Sequence, residues 1–160
     1  MLYTYPTELP AQFDRIPIVV VGCISDSPEW QSKLISLIDT NKYDVINPRG
    51  PKSSTKTADG VRKQIEWEHR ALEYAQIVIF WFPKESKCLG TLFHYGKLLE
   101  RACKDGIRLI GGCDPGYTHA GELDVRTQLA VDWAADDEVA VDFIDRWDMF
   151  TAVVSEEVGK

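Results

Sequence analysis

Two runs of consecutive apolar residues constrain the fold of this chain more than any other feature of its sequence. They are Ile16–Gly22, which is rich in β-branched residues, and Ile77–Phe82, which ends at Pro83. A strand with one exposed face alternates apolar and polar side chains, whereas an unbroken apolar run is typical of a strand that is covered on both faces. The sequence therefore predicts a parallel sheet with helices on both sides.

Strand and helix patterns alternate along the rest of the chain. This order predicts an α/β fold, a three-layer sandwich with a parallel sheet of about five strands. One domain is expected over residues 1–160, with 1–15 as a loosely packed lead and 50–60 as a loop and possible mobile lid. Further strands are predicted at 43–46, 107–111 and 138–141, and helices from Pro28 (capped by Ser27) and over 61–74, 91–103, 124–133 (capped by Asp124) and 143–158.

Charge and hydrophobicity exclude several classes of protein. The 160 residues carry a formal net charge of −7, which disfavours a nucleic-acid polymer as partner because phosphate-backbone binders carry a basic face. No segment reaches the roughly 20 apolar residues of a membrane span, and the first residues lack the pattern of a signal peptide. The chain is therefore expected to be soluble and cytoplasmic, with no contact to a membrane.

The four cysteines do not form a recognisable metal or disulfide pattern. They are Cys23, Cys88, Cys103 and Cys113, and no two of them have C-x-x-C spacing. Free thiols in a reducing compartment are therefore expected. The sequence predicts no metal site and no bound cofactor.

Polar clusters follow four of the predicted strands, at 22–27, 47–50, 88–95 and 114–119. The carboxyl ends of parallel strands share one edge of a sheet, where ligands bind. The first cluster is a Gly/Ser loop that opens a helix, which suits a phosphate or a sugar hydroxyl, although the spacing of nucleotide-binding glycine motifs is absent. In the third, His94 is placed at a helix start facing this edge, a position that is also typical of a partly buried structural histidine.

A carboxylate is predicted to face the same edge from the helix at 61–74. Gln64 and Glu68 are four residues apart and therefore share one helix face. Glu66 and Glu68 are about 200° apart around the helix, so they cannot both face one ligand. Arg49 is a candidate partner for an anionic ligand group, and it also fits an ordinary surface position.

Several short motifs occur together in a recognisable order between about Ile18 and Gln128. They are Gly22-Cys23-Ile24, Asn47-Pro48-Arg49, Gln64-Ile65-Glu66-Trp67-Glu68, Phe80-Trp81-Phe82-Pro83 and Thr91-Leu92-Phe93-His94-Tyr95-Gly96. With these motifs the chain resembles the nucleoside 2-deoxyribosyltransferases and the related nucleoside-monophosphate N-glycosidases. This resemblance implies a flavodoxin-like (Rossmann-like) fold, cleavage of an N-glycosidic bond in a small-molecule nucleoside or nucleotide, and a homo-oligomer in which a neighbour completes the site.

The resemblance also implies roles for individual residues. Glu68 falls at the carboxylate that handles the nucleobase, His94 at the nucleophilic glutamate, and Cys88 at an aspartate that binds the sugar. The last two are departures from the family pattern. The catalytic candidates are therefore His94 and Glu68, and the ligand-binding candidates are Gly22, Cys23, Ser25, Asp26, Asn47, Arg49, Gln64, Cys88, Tyr95 and Tyr117.

Three interpretations of the histidine remain open at this point. In the first, Glu68 (or Glu66) and a water molecule hydrolyse the glycosidic bond, and His94 acts as a base or binds phosphate. In the second, the pocket binds a nucleoside or nucleotide without catalysis. In the third, the motif register is shifted and another carboxylate serves as nucleophile. A receiver-like or flavin-binding domain is a further alternative, and the apolar end of the third strand argues against a receiver.

Overall fold

A computed structural model describes residues 1–23, 27–51, 57–134 and 139–160 of the chain. No helix in these ranges combines the length and the apolar character that a bilayer span needs. The elements are β1 (Leu2–Thr4), β2 (Ile16–Gly22), α1 (Trp30–Ile35), β3 (Tyr43–Asn47), α2 (Ala58–Tyr74), β4 (Ile77–Phe82), α3 (Leu89–Asp105), β5 (Arg108–Cys113), α4 (Ala120–Asp132), β6 (Val141–Ile144) and α5 (Trp147–Val158).

The strands form one sheet in the order β1-β3-β2-β4-β5-β6, and all five neighbouring pairs are parallel. This confirms the predicted three-layer α/β fold, and the order of β2 to β6 is that of flavodoxin-like proteins. The sheet has one strand more than expected. The additional strand, β1, lies in the segment that was predicted to be a loosely packed lead, and its three residues are too few to carry a strand pattern.

Alternating side chains of the strands build a separate core on each face of the sheet. Val19 and Val21 of β2 pack with α2, α3 and α4 on one face. Ile18 and Val20 pack with α1 and α5 on the other. Each strand in the middle of the sheet therefore buries both of its faces, which is why its sequence is continuously apolar.

Several element boundaries differ from the sequence-based prediction. Helix α1 begins at Trp30 with Glu29 at its N-cap, whereas Ser27 donates a hydrogen bond to the carbonyl of Cys23 and caps nothing. Helix α4 begins at Ala120, so Asp124 lies within it and does not cap it. Residues 52–56 of the predicted lid at 50–60 lie outside the described residues, and its last part, from Ala58 onward, belongs to α2.

The order of the strands places a crevice at one position of the sheet edge. The chain moves from β2 outward to β3 and then returns to β4 on the other side of β2. The loops after β2 and β4 therefore leave the sheet in opposite directions, which opens the space where ligands bind in folds of this class.

Candidate functional site

A cavity of about 520 Å³ lies at this crevice, between the ends of β2 and β4 and the sides of α2 and α3. Its volume is within the range of pockets that hold small organic ligands. It brings together residues that are as much as 74 positions apart in the sequence. Six of the predicted site residues line it, namely Gly22, Cys23, Gln64, Glu68, Cys88 and His94.

Helix α2 presents Glu68 to the cavity. Gln64, one turn earlier, donates from Nε2 to Glu68 Oε1 at 3.0 Å. The Glu68 side chain is only 19% exposed. Burial raises the pKa of its carboxyl above the ordinary value, against the opposing effect of the Gln64 hydrogen bond. Because burial favours the uncharged form, Glu68 is suited to hold and donate a proton.

His94 faces Glu68 from the second turn of α3. Its Nε2 lies 3.9 Å from Glu68 Oε2, which is too long for a hydrogen bond. Burial lowers the pKa of the imidazole, and repulsion from His69 and Lys97 lowers it further. Burial therefore favours the uncharged form of each of these two groups.

Glu66 does not share this environment. Its side chain is 46% exposed, and it forms an i,i+4 ion pair with Arg62 at 2.8 Å. It is absent from the cavity lining among the described residues. Of the two glutamates that the sequence left open, Glu68 is the one at the cavity.

A disulfide forms part of the cavity wall. It joins Cys23, directly after β2, to Cys88, the N-cap of α3, with their Cα atoms 5.1 Å apart. The expectation of four free thiols is therefore wrong for this pair, whereas Cys103 and Cys113 are free. The two positions are 65 residues apart, so only the meeting of β2 and β4 in the sheet reveals that they are neighbours.

Asn47 and Arg49 lie near the cavity, at the end of β3 and in the turn that follows it. The Asn47 side chain accepts a hydrogen bond from the Arg49 amide at 3.1 Å, which fixes the turn after β3. The Arg49 guanidinium binds Glu29 Oε2 at 3.0 Å and Ser27 Oγ at 3.2 Å. Neither residue is part of the described cavity lining, and Arg49 connects the turn after β3 to the residues just before α1.

Tyr95 and Tyr117 lie in the core between the sheet and its helices. The Tyr95 hydroxyl shares a hydrogen bond of 2.7 Å with Thr127 Oγ1. The Tyr117 hydroxyl donates to the carbonyl of Lys87 at 3.1 Å. Both rings pack against Phe82, and the described cavity lining includes neither.

The glycine at the end of β2 has a packing role in addition to its place in the cavity wall. A Cβ atom at Gly22 would collide with the ring of Trp30 and would lie 2.8 Å from the carbonyl oxygen of Trp81. The absence of a side chain therefore lets Trp30 close the core beneath the cavity. Ser25 and Asp26, the other candidates in this loop, lie outside the described residues.

The cavity also contains residues that sequence reasoning missed. Gln31 comes from α1, where its position beside Trp30 and Leu34 gave no functional signal. The others lie at positions where no single residue type indicates a ligand. They are Pro48 after β3, Glu85, Ser86 and Lys87 after β4, and Thr91 in the first turn of α3.

Comparison with protein-family models gives an independent result for the same region. The model described as nucleoside 2-deoxyribosyltransferase like matches residues 18–111, which include Gln31, Glu68 and His94. The chain belongs to this family. A search of curated proteins found no significant match. The family membership agrees with the flavodoxin-like sheet and supports glycosyl-transfer chemistry at the level of the family.

Proposed function

We propose that this protein binds a nucleoside or a nucleoside 5′-monophosphate in the cavity and hydrolyses its N-glycosidic bond. The observation that carries the proposal is the Glu68–His94 pair, with Nε2 and Oε2 3.9 Å apart in the cavity of a member of this family. The pair combines a proton donor and a proton acceptor, which are the two groups that such a hydrolysis needs.

In the first step, Glu68 protonates the nucleobase as it leaves. The bond between the base nitrogen and the anomeric carbon breaks, its electron pair stays on the base, and the Glu68 proton neutralises the developing anion. The sugar becomes an oxocarbenium ion. Glu68, now a carboxylate, stabilises this cation, whereas a neutral His94 does not repel it.

In the second step, water attacks the anomeric carbon. His94 Nε2 takes a proton from the water as the new carbon–oxygen bond forms. The proton then passes to Glu68, which restores the starting state. The two groups are closer than the roughly 5–9 Å that separates the carboxyl pairs of glycosidases. We therefore propose that the base departs before the water attacks.

The histidine favours hydrolysis over transfer to a second base. The family resemblance places a nucleophilic glutamate at position 94, where it would form a covalent glycosyl-enzyme. An imidazole in that position would form a glycosyl-imidazolium, in which the nitrogen is a good leaving group. Water activated by His94 avoids this intermediate.

A second candidate function is binding without catalysis. The absence of a carboxylate at position 94 favours it, since the family chemistry depends on that group. In this case the cavity would hold a nucleoside or nucleotide as a sensor or a structural subunit.

One experiment separates the two functions. The purified protein is titrated with the four common 2′-deoxynucleosides and their 5′-monophosphates by calorimetry, and the same mixtures are then analysed for free base by chromatography. Binding with release of free base supports hydrolysis. Binding without release supports the second function, and absence of binding to all eight compounds contradicts both.

We also propose that the protein is a homo-oligomer. Exposed apolar side chains form a stripe on each of the neighbouring helices α3 and α4. Phe93 is 77% exposed and Trp133 is 79% exposed, and burial against a second copy would remove both from water. Leu89 belongs to the α3 stripe and also lines the cavity, so a second copy on this face would lie next to the site. The remaining members of the stripes are Val125 and Leu129.

A further inference from the structure

Gln31 is a buried polar side chain in the cavity wall whose hydrogen-bonding capacity is not used. The residue is 1% exposed and lines the cavity beside the end of β2. No donor among the described residues reaches its Oε1 atom. Buried carbonyl groups nearly always have a partner, so an unpaired one requires an explanation.

The packing of α1 does not supply that explanation. The other buried positions of this helix are Trp30 and Leu34, which pack in the core beneath the sheet. An apolar side chain at position 31 would continue this pattern without leaving a polar atom unpaired. The glutamine therefore lowers the stability of the ligand-free protein.

The other unpaired buried atoms in the described part of the chain differ from this one in their location. They are Trp30 Nε1 and Arg49 Nε, and neither side chain is part of the described cavity lining. Among the described residues, only the Gln31 amide combines an unpaired acceptor with a position at the cavity.

We propose that Gln31 is a ligand-binding residue whose carbonyl accepts a hydrogen bond from an N–H or O–H group of the bound nucleoside. An acceptor cannot pair with a phosphate oxygen, so the contact is to the base or to a sugar hydroxyl. The amide also carries two donors, and an amide can pair with the edge of a nucleobase through one donor and one acceptor. This inference rests on the proposed function, in that the cavity must hold a nucleoside.

The test replaces Gln31 by methionine, which has a similar shape and no strong acceptor. The matched control is Lys33→Met, which introduces the same side chain at an exposed position of α1. Both changes are made in an E68Q background to slow turnover. Thermal unfolding is measured without ligand, and the Kd is measured by calorimetry for the four common 2′-deoxynucleosides. The tightest binder is then compared with its 2′,3′-dideoxy analogue.

We expect Q31M to weaken the binding of the tightest nucleoside about tenfold, the effect of one lost hydrogen bond. We also expect its Tm to be equal to or higher than that of the parent, because an unpaired polar group is removed. K33M should change neither quantity. Weakening for the parent nucleoside alone assigns the contact to the 3′-hydroxyl, and equal weakening for the dideoxy analogue assigns it to the base or to the 5′-hydroxyl, which the analogue keeps.

Three results would overturn the inference. If Q31M binds every nucleoside as tightly as the parent does, Gln31 does not contact the ligand, and the proposed function is unaffected. If Q31M fails to fold or loses several degrees in Tm, the glutamine has a structural role. If the parent, Q31M and the control K33M all fail to bind any nucleoside, the proposed function fails and this inference fails with it.

Discussion

At the scale of single residues, two glutamates on one helix illustrate how environment determines chemical role. Glu66 and Glu68 are two positions apart, but Glu66 is 46% exposed and paired with Arg62, whereas Glu68 is 19% exposed and faces the cavity. Helical geometry turns them about 200° apart. Burial raises the pKa of the Glu68 carboxyl, so Glu68 is suited to act as an acid at the cavity.

The proposed mechanism predicts a bell-shaped pH dependence. His94 must be neutral, and its pKa is lowered from 6.5 by burial first and then by two nearby cations, so the rate falls when pH drops below that lowered value. Glu68 must be protonated, and its pKa is raised from 4.5 by burial, so the rate falls when pH rises above that raised value. We expect kcat/KM for base release to be highest at mildly acidic pH. A rate that keeps increasing into the alkaline range would show that Glu68 acts as an anion.

Replacing His94 by glutamate is predicted to change the type of reaction. A carboxylate at this position can attack the anomeric carbon, so H94E should exchange the base of a 2′-deoxynucleoside for a second, labelled base. The wild-type protein should not incorporate the labelled base. His69→Glu, on the exposed side of α2, is the control and should incorporate no labelled base. No incorporation by a folded H94E variant would show that other parts of the transferase site are also missing.

The sequence predicted some site residues better than others, for identifiable reasons. Gln64 and Glu68 could be assigned to one face because helical spacing is fixed. Arg49 could not be distinguished from a ligand-binding arginine, because its partner Glu29 belongs to another element. Gln31 gave no signal, since only the fold shows that the unpaired Oε1 atom lies at a cavity.

At the scale of elements, the disulfide connects the two loops that enclose the cavity. It links the end of β2 to the start of α3 across 65 residues. A crosslink over a loop of this length reduces the conformational freedom of the unfolded chain and typically stabilises a protein by about 2–4 kcal/mol. It also fixes the N-terminus of α3, from which His94 projects.

Reduction of this disulfide is predicted to destabilise the protein. We expect the free energy of unfolding in urea to fall by about 2–4 kcal/mol when a thiol reductant is added. A C23S/C88S double variant should be equally destabilised and should not respond to the reductant. An unchanged unfolding curve for the reduced wild-type protein would contradict this prediction.

Elements with strong internal patterns were predictable, and elements that depend on their neighbours were not. Strands β2 and β4 were predicted at their observed bounds because continuous apolar runs require burial on both faces. Strand β1 was missed because its three residues form a strand only by pairing with β3. Phe143 was predicted to begin a helix, and it lies in β6 because β5 provides a pairing edge there.

At the scale of the whole molecule, the oligomer proposal makes a direct prediction. Replacing Val125 and Trp133 by serine should convert the protein from a dimer or larger assembly to a monomer, because it removes apolar area from the α4 stripe. Met149→Ser is the control, since Met149 is 50% exposed and lies on α5, against the other face of the sheet. Sedimentation equilibrium measures the mass of each variant. A monomeric wild-type protein at micromolar concentration would contradict the proposal.

The architecture as a whole followed from the sequence, whereas the cavity did not. Alternation of strands and helices was enough to predict a parallel three-layer sheet, because such a chain has few other ways to bury its strands. The cavity depends on side chains from four elements and on a disulfide between distant positions. Its residues therefore become neighbours only when the sheet is complete.

The central claim is that Glu68 donates the proton that releases the nucleobase. The most direct test measures the release of free base from a 2′-deoxynucleoside by the wild-type protein, E68Q and E66Q. E68Q should lose about 100- to 10,000-fold in rate, and E66Q should remain within about twofold of the wild type, as a surface substitution away from the site does. Equal rates for E68Q and E66Q, or nucleoside binding by the wild type without any base release, would contradict the claim.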